Sequence, residues 1–340
     1  MKTLSHHSRI AGMIGNSLAR YDIALFGLLT PFIAPLFFDK SDPVTALILT
    51  YGMVPLGVIT KPLGSLFFGW IGDLFGRKKA LFCSLLGMGI VTILMGFLPT
   101  YHQVGILAPS LLAMGRMLQS FCAAGESTGS SIFVLENTPL IQRSWVSSIY
   151  DLSSMSGTLF ASGLVTFFCM QGWNEEWWRI PFWIGGITAI FGLFLRLKTN
   201  DGIEFRPNRK KWNLIQTLKE NKKALLSIAI ASGFSYTTYA LAFTLMNGYV
   251  PLVTSLTKAE VMKINTSLNA IDMLLLPCFG YLAHKFGKEK IMLTGAICSS
   301  IFALPLFYCL EGGSIVMVSI IRLAIVVFGV AFAAPYHAWK

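Results

Sequence analysis

Gly69-Trp-Ile-Gly-Asp73-Leu-Phe75-Gly76-Arg77-Lys78-Lys79 and, 211 residues further on, Gly280-Tyr-Leu-Ala-His284-Lys-Phe286-Gly287-Lys288-Glu289-Lys290 decide how this chain is read. Glycine, phenylalanine, glycine and a final lysine recur at one offset, and each segment is a short basic loop between two long apolar stretches. Gly69 allows close helix contact, and Gly76 permits a tight loop. Asp73 and Arg77 stand four residues apart, so they can face each other at a helix end. A duplicated loop implies duplicated halves, and paired halves recur among membrane transporters with the solute bound between them.

The stretches around these loops are apolar over lengths that cross a bilayer, about 20 residues each. Ten read as spans: 11–37, 44–72, 80–99, 105–131, 146–170, 178–196, 223–250, 263–284, 290–309 and 314–338. They lack strict alternation, so helices are expected rather than barrel strands. Apolar types make up 54% of the chain and charged types 13%, about half the usual charged share of a soluble protein. The expected architecture is an all-α polytopic bundle: six helices in 1–196, a basic cytoplasmic linker in 197–222, and four helices in 223–340. Within the linker, Trp212–Leu218 has the periodicity of an amphipathic helix lying on an anionic leaflet.

The net charge of +11 does not signal a nucleic-acid face, because the basic residues sit in short loops. Lys2 and Arg9 precede the first span. Arg77, Lys78, Lys79, Arg143, Arg196, Arg206, Arg209, Lys210, Lys211, Lys285, Lys288 and Lys290 are assigned to even-numbered loops. The odd-numbered loops hold Lys40, Lys258 and Lys263, with Arg179 at a helix edge. That asymmetry places the N-terminus, the even loops and the C-terminus in the cytoplasm. Cys83, Cys122, Cys169, Cys278, Cys298 and Cys309 all lie in apolar stretches and read as small buried hydrophobes, not as disulfides or metal ligands. Trp173, Trp177 and Trp178 read as an interfacial belt.

The loop Gly69–Lys79 resembles the signature of the major facilitator superfamily, G-x-x-x-D-x-x-G-R-[RK]-x-[RK], with a one-residue slip in its last basic position. A narrower resemblance, to the metabolite:proton symporters, rests on four segments. These are Gly15-Asn16 with Tyr21-Asp22, Lys61-Pro62-Leu63-Gly64, Arg116 to Glu126 with Gln119, and Trp178-Arg179-Ile180-Pro181-Phe182. That family includes proline/betaine, 2-oxoglutarate, citrate and shikimate transporters. The resemblance implies solute–proton symport by alternating access across a bacterial inner membrane. It also implies a gating role for Gly69, Asp73, Gly76, Arg77 and Lys78, and solute contacts for Tyr236 and Tyr239. The chain departs from the pattern at Ala19-Arg20, Lys61, Ser120, Ala124 and His284. Against the twelve helices of the family, four in the second half leave two unaccounted for. The expectation is therefore a shortened chain, with Asp73 lacking its eleventh-helix partner and with weak transport unless an oligomer or second chain supplies the missing surface.

Ionisable groups inside spans are rare and usually functional. Asp22, Arg116, Glu126, Asp151, Asp272 and Arg322 are such groups here. On a helix of about 100° per residue, Gln119 and Glu126 lie within roughly 20° of each other and Arg116 about 60° to one side. Asp22 and Glu126 are the candidate proton carriers; Arg116, Gln119, Tyr236 and Tyr239 are candidate solute contacts. A structural ion pair holding Glu126 through Arg116 or Lys61 is the competing reading of that residue. The small residues Ser153, Ser156, Gly157, Ala161 and Gly163 of span five read as packing. Neither a nucleophile–base set nor a metal-ligand cluster nor a phosphate-binding loop stands out, so an enzyme is not expected and no cofactor or metal is called for. Expected partners are a small zwitterion or organic acid, a proton and the bilayer. An uncoupled facilitator and a non-transporting remnant are the alternatives. Cysteines placed near residues 5, 210 and 340 should be shielded from an impermeant thiol reagent outside the cell; labelling at 210 in intact cells contradicts the topology.

Overall fold

The structure is a computed structural model that describes residues 6–38, 43–136, 143–172, 176–197 and 220–339. The amphipathic segment and most basic residues expected of the linker, together with Lys2, Lys40, Trp173 and Lys340, lie outside the described residues. The chain divides into two compact units, Met1–Asn208 and Arg209–Lys340.

The first unit holds α1 (His6–Phe37), α2 (Pro43–Phe75), α3 (Arg77–Gly96), the short α4 (Tyr101–Val104), α5 (Leu107–Glu136), α6 (Arg143–Met170) and α7 (Arg179–Leu197). The second holds α8 (Lys222–Tyr239), a π-helical segment (Ala240–Leu245), α9 (Met246–Val253), α10 (Lys258–Phe286), α11 (Lys288–Tyr308) and α12 (Ile315–Trp339). In lipid a chain has to satisfy its backbone within each segment, and helices do so. Among the described residues, nine helical stretches are long and apolar enough to cross a membrane. The tenth expected span, α5, carries Arg116, Gln119, Glu126 and several serines and glycines, which dilute its hydropathy. It is nevertheless enclosed by the bundle, packing on α2, α3 and α1.

The repeated loops take the same shape. Gly76 (φ 99°) and Gly287 (φ 98°) each stand alone between two helices in a conformation that a side chain would strain. Gly76 N–H donates to Gly72 O at 3.2 Å, and Ala80 N–H donates to Gly76 O at 3.3 Å. At the repeat positions Gly287 N–H donates to Ala283 O at 3.0 Å, and Ile291 N–H to Gly287 O at 3.3 Å. Gly69 does not make the expected close contact, since a Cβ there would meet nothing within 4 Å. The close approach falls instead at Gly64, where a Cβ would stand 3.1 Å from Phe121 Cα, and at Gly125, against Phe68.

The core of the first unit gathers Ala19, Phe68, Leu85, Met88, Ala123, Ala189 and Leu193. The α1–α6 seam is tighter and polar. Asn16 Nδ2 donates to Ser153 Oγ at 3.0 Å, Ser154 Oγ at 2.6 Å and Tyr150 O at 3.2 Å. A Cβ at Gly157 would stand 3.1 Å from Tyr21 N and closer still to the Ser17 carbonyl. Small residues let two helices share backbone contact where lipid provides no hydrophobic drive. Arg179 ties the start of α7 to the end of α3, donating to Gly96 O and Leu98 O at 2.9 Å each. Trp178 corrects the interfacial-belt reading: it is 1% exposed and set edge-on to Phe37 and Phe182. The cysteines also differ from expectation. All six are free, yet only Cys122 is buried, while Cys83, Cys278 and Cys309 are exposed. A thiol is compatible with a hydrocarbon surface and needs no protein cover there.

Gly157→Ala should destabilise the detergent-solubilised protein by about 1–3 kcal/mol, because the methyl meets backbone that cannot swing aside. Gly52→Ala on α2, where a Cβ meets nothing within 4 Å, is the control and should leave the melting temperature unchanged.

Candidate functional site

Within the first unit the intramembrane polar groups form two clusters. In one, Arg116 Nη1 donates to Gln119 Oε1 at 2.8 Å, and Gln119 Nε2 donates to Thr92 Oγ1 at 3.1 Å. Arg116 Nη2 reaches Ile23 O on α1 at 3.4 Å, and its guanidinium lies 4.8 Å from the centroid of the Phe26 ring. Asp22 joins this cluster from α1, facing Thr92 with the Arg116 cation nearby. It is 1% exposed, and its Oδ1 has no hydrogen-bond donor among the described residues. Gly185 on α7 makes room for it: a Cβ there would stand 2.6 Å from Asp22 Oδ1 and 3.1 Å from Thr92 Cγ2. Tyr21 beside it donates its hydroxyl to Pro181 O at 2.7 Å.

The second cluster separates Glu126 from Arg116 and Gln119, despite their shared helical face. Glu126 is fully buried and held by both guanidinium nitrogens of Arg196, with Arg196 Nη1 to Glu126 Oε2 at 2.7 Å. The same Nη1 donates to Leu81 O on α3 at 2.8 Å. The ion pair weighed for Glu126 therefore exists, but its cation is neither Arg116 nor Lys61. By sequence Arg196 reads as a loop cation, because it lies at the end of an apolar run. It is 4% exposed and lies in the last turn of α7, next to the final residue Leu197. No local spacing rule joins residues seventy apart, so the pairing was not readable from the sequence.

The gating loop carries the expected i, i+4 pair, Arg77 Nη2 to Asp73 Oδ1 at 3.2 Å. Both side chains are partly exposed, so this pair contributes at most about 1 kcal/mol. Gly69 and Arg77 also line a small cavity of about 40 Å³, shared with Phe68, Leu81, Gly125 and Gly129.

In the second unit Arg322 on α12 is fully buried among oxygens. Its Nη2 donates to Ala242 O at 2.9 Å, Asn247 Oδ1 at 3.1 Å and Asn265 Oδ1 at 2.7 Å, and its Nη1 reaches Val261 O at 3.4 Å. Ala242 lies in the π-helical segment, a form that is rare and recurs at functional positions. Tyr239, the residue just before that segment, donates its hydroxyl to Asp272 Oδ1 at 3.1 Å. Tyr236 is 45% exposed. Asn265, Asn269 and Asp272 recur at i, i+4 and i+7 on α10, a buried polar stripe whose spacing alone marks it in the sequence.

Long apolar helices with charged side chains enclosed between them are those of a polytopic membrane protein. The family model described as Major Facilitator Superfamily matches residues 13–339, and the chain belongs to that superfamily. Among its relatives are the proline/betaine transporter of Salmonella typhimurium, 28% identical over 336 residues, and the shikimate transporter of Escherichia coli, 28% identical over 313 residues. These matches cover 93% and 87% of this chain and 67% and 70% of the relatives. Among solved structures, the xylose transporter XylE from E. coli, partially occluded and inward open, has a TM-score of 0.74 at 17% identity, covering 98% of this chain and 88% of that one. A bacterial homolog to the human lysosomal transporter Spinster, inward-facing, has a TM-score of 0.73 at 13% identity, covering 97% and 74%.

Removing one member of a buried ion pair strands the other, at a cost of about 3–5 kcal/mol. Glu126→Gln and Arg196→Gln should each lower the melting temperature of the purified protein markedly. The double variant should lose less than the two single losses combined. Strict additivity would mean that the pair does not act as a unit.

Proposed function

We propose that this chain is a secondary active transporter that couples a small zwitterionic osmolyte or organic acid to protons by alternating access. On this reading it sits in a bacterial inner membrane with its N-terminus in the cytoplasm. The names of its relatives, a proline/betaine transporter and a shikimate transporter, support that solute class. The observation that carries the proton part is Asp22, a carboxylate enclosed at mid-bundle with one oxygen lacking a donor.

An anion so placed is costly, and taking up a proton removes the cost without moving any other group. Arg116 and Gln119 are linked to the Asp22 cluster through Thr92, and their charge and amide suit a solute carboxylate. Competition by solute for Arg116 would then be felt at Asp22. Glu126, the other candidate carrier, is already neutralised by Arg196, so its role on this reading is to brace the bundle.

The test is uptake of labelled proline, betaine and shikimate into proteoliposomes. Asp22→Asn should abolish accumulation driven by an inward proton gradient while leaving exchange of internal for external solute. If the wild type equilibrates one of these solutes and never concentrates it, the chain is an uncoupled facilitator. If Asp22→Asn accumulates solute like the wild type, Asp22 is not the carrier.

A further inference from the structure

We propose that Asp272 and Tyr239 form a second proton-binding site, built wholly within the second unit. Asp272 is the middle residue of α10, about 21 Å from either end at about 1.5 Å per residue. It is 1% exposed, and Tyr239 from α8 donates to its Oδ1 at 3.1 Å. Among the described residues no ion pair includes Asp272.

The charged and titratable groups around it do not supply one. Arg322 from α12 is bound to Asn265, seven residues before Asp272 and so roughly 10 Å away along the axis. Tyr249 on α9 sets its ring against Phe307, tilted at 55° with centroids 5.6 Å apart. Lys288, Glu289 and Lys290 belong to the first turn of α11, and Glu260, Lys263, His284 and Lys285 to the ends of α10. A carboxylate with a single phenol partner at this depth is unfavourable as an anion. Protonation at Oδ2, with Oδ1 still accepting from Tyr239, removes the buried charge while keeping that hydrogen bond.

The site also has a mechanical position. Tyr239 is where α8 gives way to the π-helical segment, and Arg322 holds the next part of that segment through Ala242 O. Loss of the proton turns the Tyr239–Asp272 bond into a charge-assisted one, which is roughly twice as strong. That change acts on the junction between α10 and the π turn. Asp272 also lies 211 residues after Lys61, at the spacing of the repeat, so the two halves carry opposite charge at this position. The sequence marks Asp272 as an intramembrane carboxylate and assigns it no specific role.

That this proton serves the transport cycle rests on the symport reading above; that the site binds a proton does not. Infrared difference spectroscopy of the purified protein during a pH step separates the two. A carboxylic-acid band should disappear in Asp272→Asn and shift in Tyr239→Phe, which leaves the carboxyl in place and changes little volume. The same band should persist in Asp22→Asn. Tyr239→Phe is decisive if Asp272→Asn does not fold. A full set of carboxylic-acid bands unchanged in position by Tyr239→Phe, or unchanged in number by Asp272→Asn, overturns the proposal. Loss of coupling in Asp22→Asn with the Asp272 band intact leaves it standing.

Discussion

An ionisable side chain inside hydrocarbon has to find its partner on another helix, and that constraint arranges both bundles. In the first unit Arg196 on α7 takes Glu126 on α5 and the Leu81 carbonyl on α3. Gly15 on α1 closes the group from the remaining side, since a Cβ there would stand 2.6 Å from Glu126 Oε1. One ion pair thus sets the approach of four helices. In the second unit Arg322 gathers the π-helical segment, α9 and α10 in the same way, through a carbonyl and two asparagine oxygens. Removing one partner from such a buried group leaves the other charge uncompensated, which is strongly destabilising.

Against that rule, Asp22 and Asp272 stand apart. Each is enclosed, each lies at mid-helix, and each is met by a hydroxyl-bearing residue rather than by a formal ion pair. A matched charge has little reason to change state, whereas an unmatched one gains by taking a proton. On the proposed reading the intramembrane charges divide by what they touch: Glu126, Arg196 and Arg322 hold helices together, while Asp22 and Asp272 load and release protons. Small residues complete the arrangement, because Gly157, Gly64 and Gly185 bring backbones and carboxylates to distances that a methyl group would forbid.

Much of this was legible in the sequence. The repeated loop gave the superfamily, and its two glycines take one conformation at one repeat offset. The i, i+4 geometry of Asp73 and Arg77 follows from helical spacing alone. What spacing cannot supply is the pairing of side chains across helices. Helical angle groups Glu126 with Arg116 and Gln119, yet seven residues, roughly 10 Å of rise, separate Gln119 from Glu126. Its true partner was hidden as a loop cation. Trp178 was misread because tryptophan before a span is common at interfaces, while here Phe37 and Phe182 enclose it. The π-helical segment has no sequence mark of its own, since Ala240–Leu245 continues an ordinary apolar run.

The most direct test of the proposed proton coupling is whether solute movement carries protons at all. Purified protein in vesicles loaded with a pH-sensitive dye would be given an inward gradient of proline, betaine or shikimate, with no pH gradient imposed. The lumen should acidify in step with solute entry; solute entry with no change of internal pH would rule out coupling.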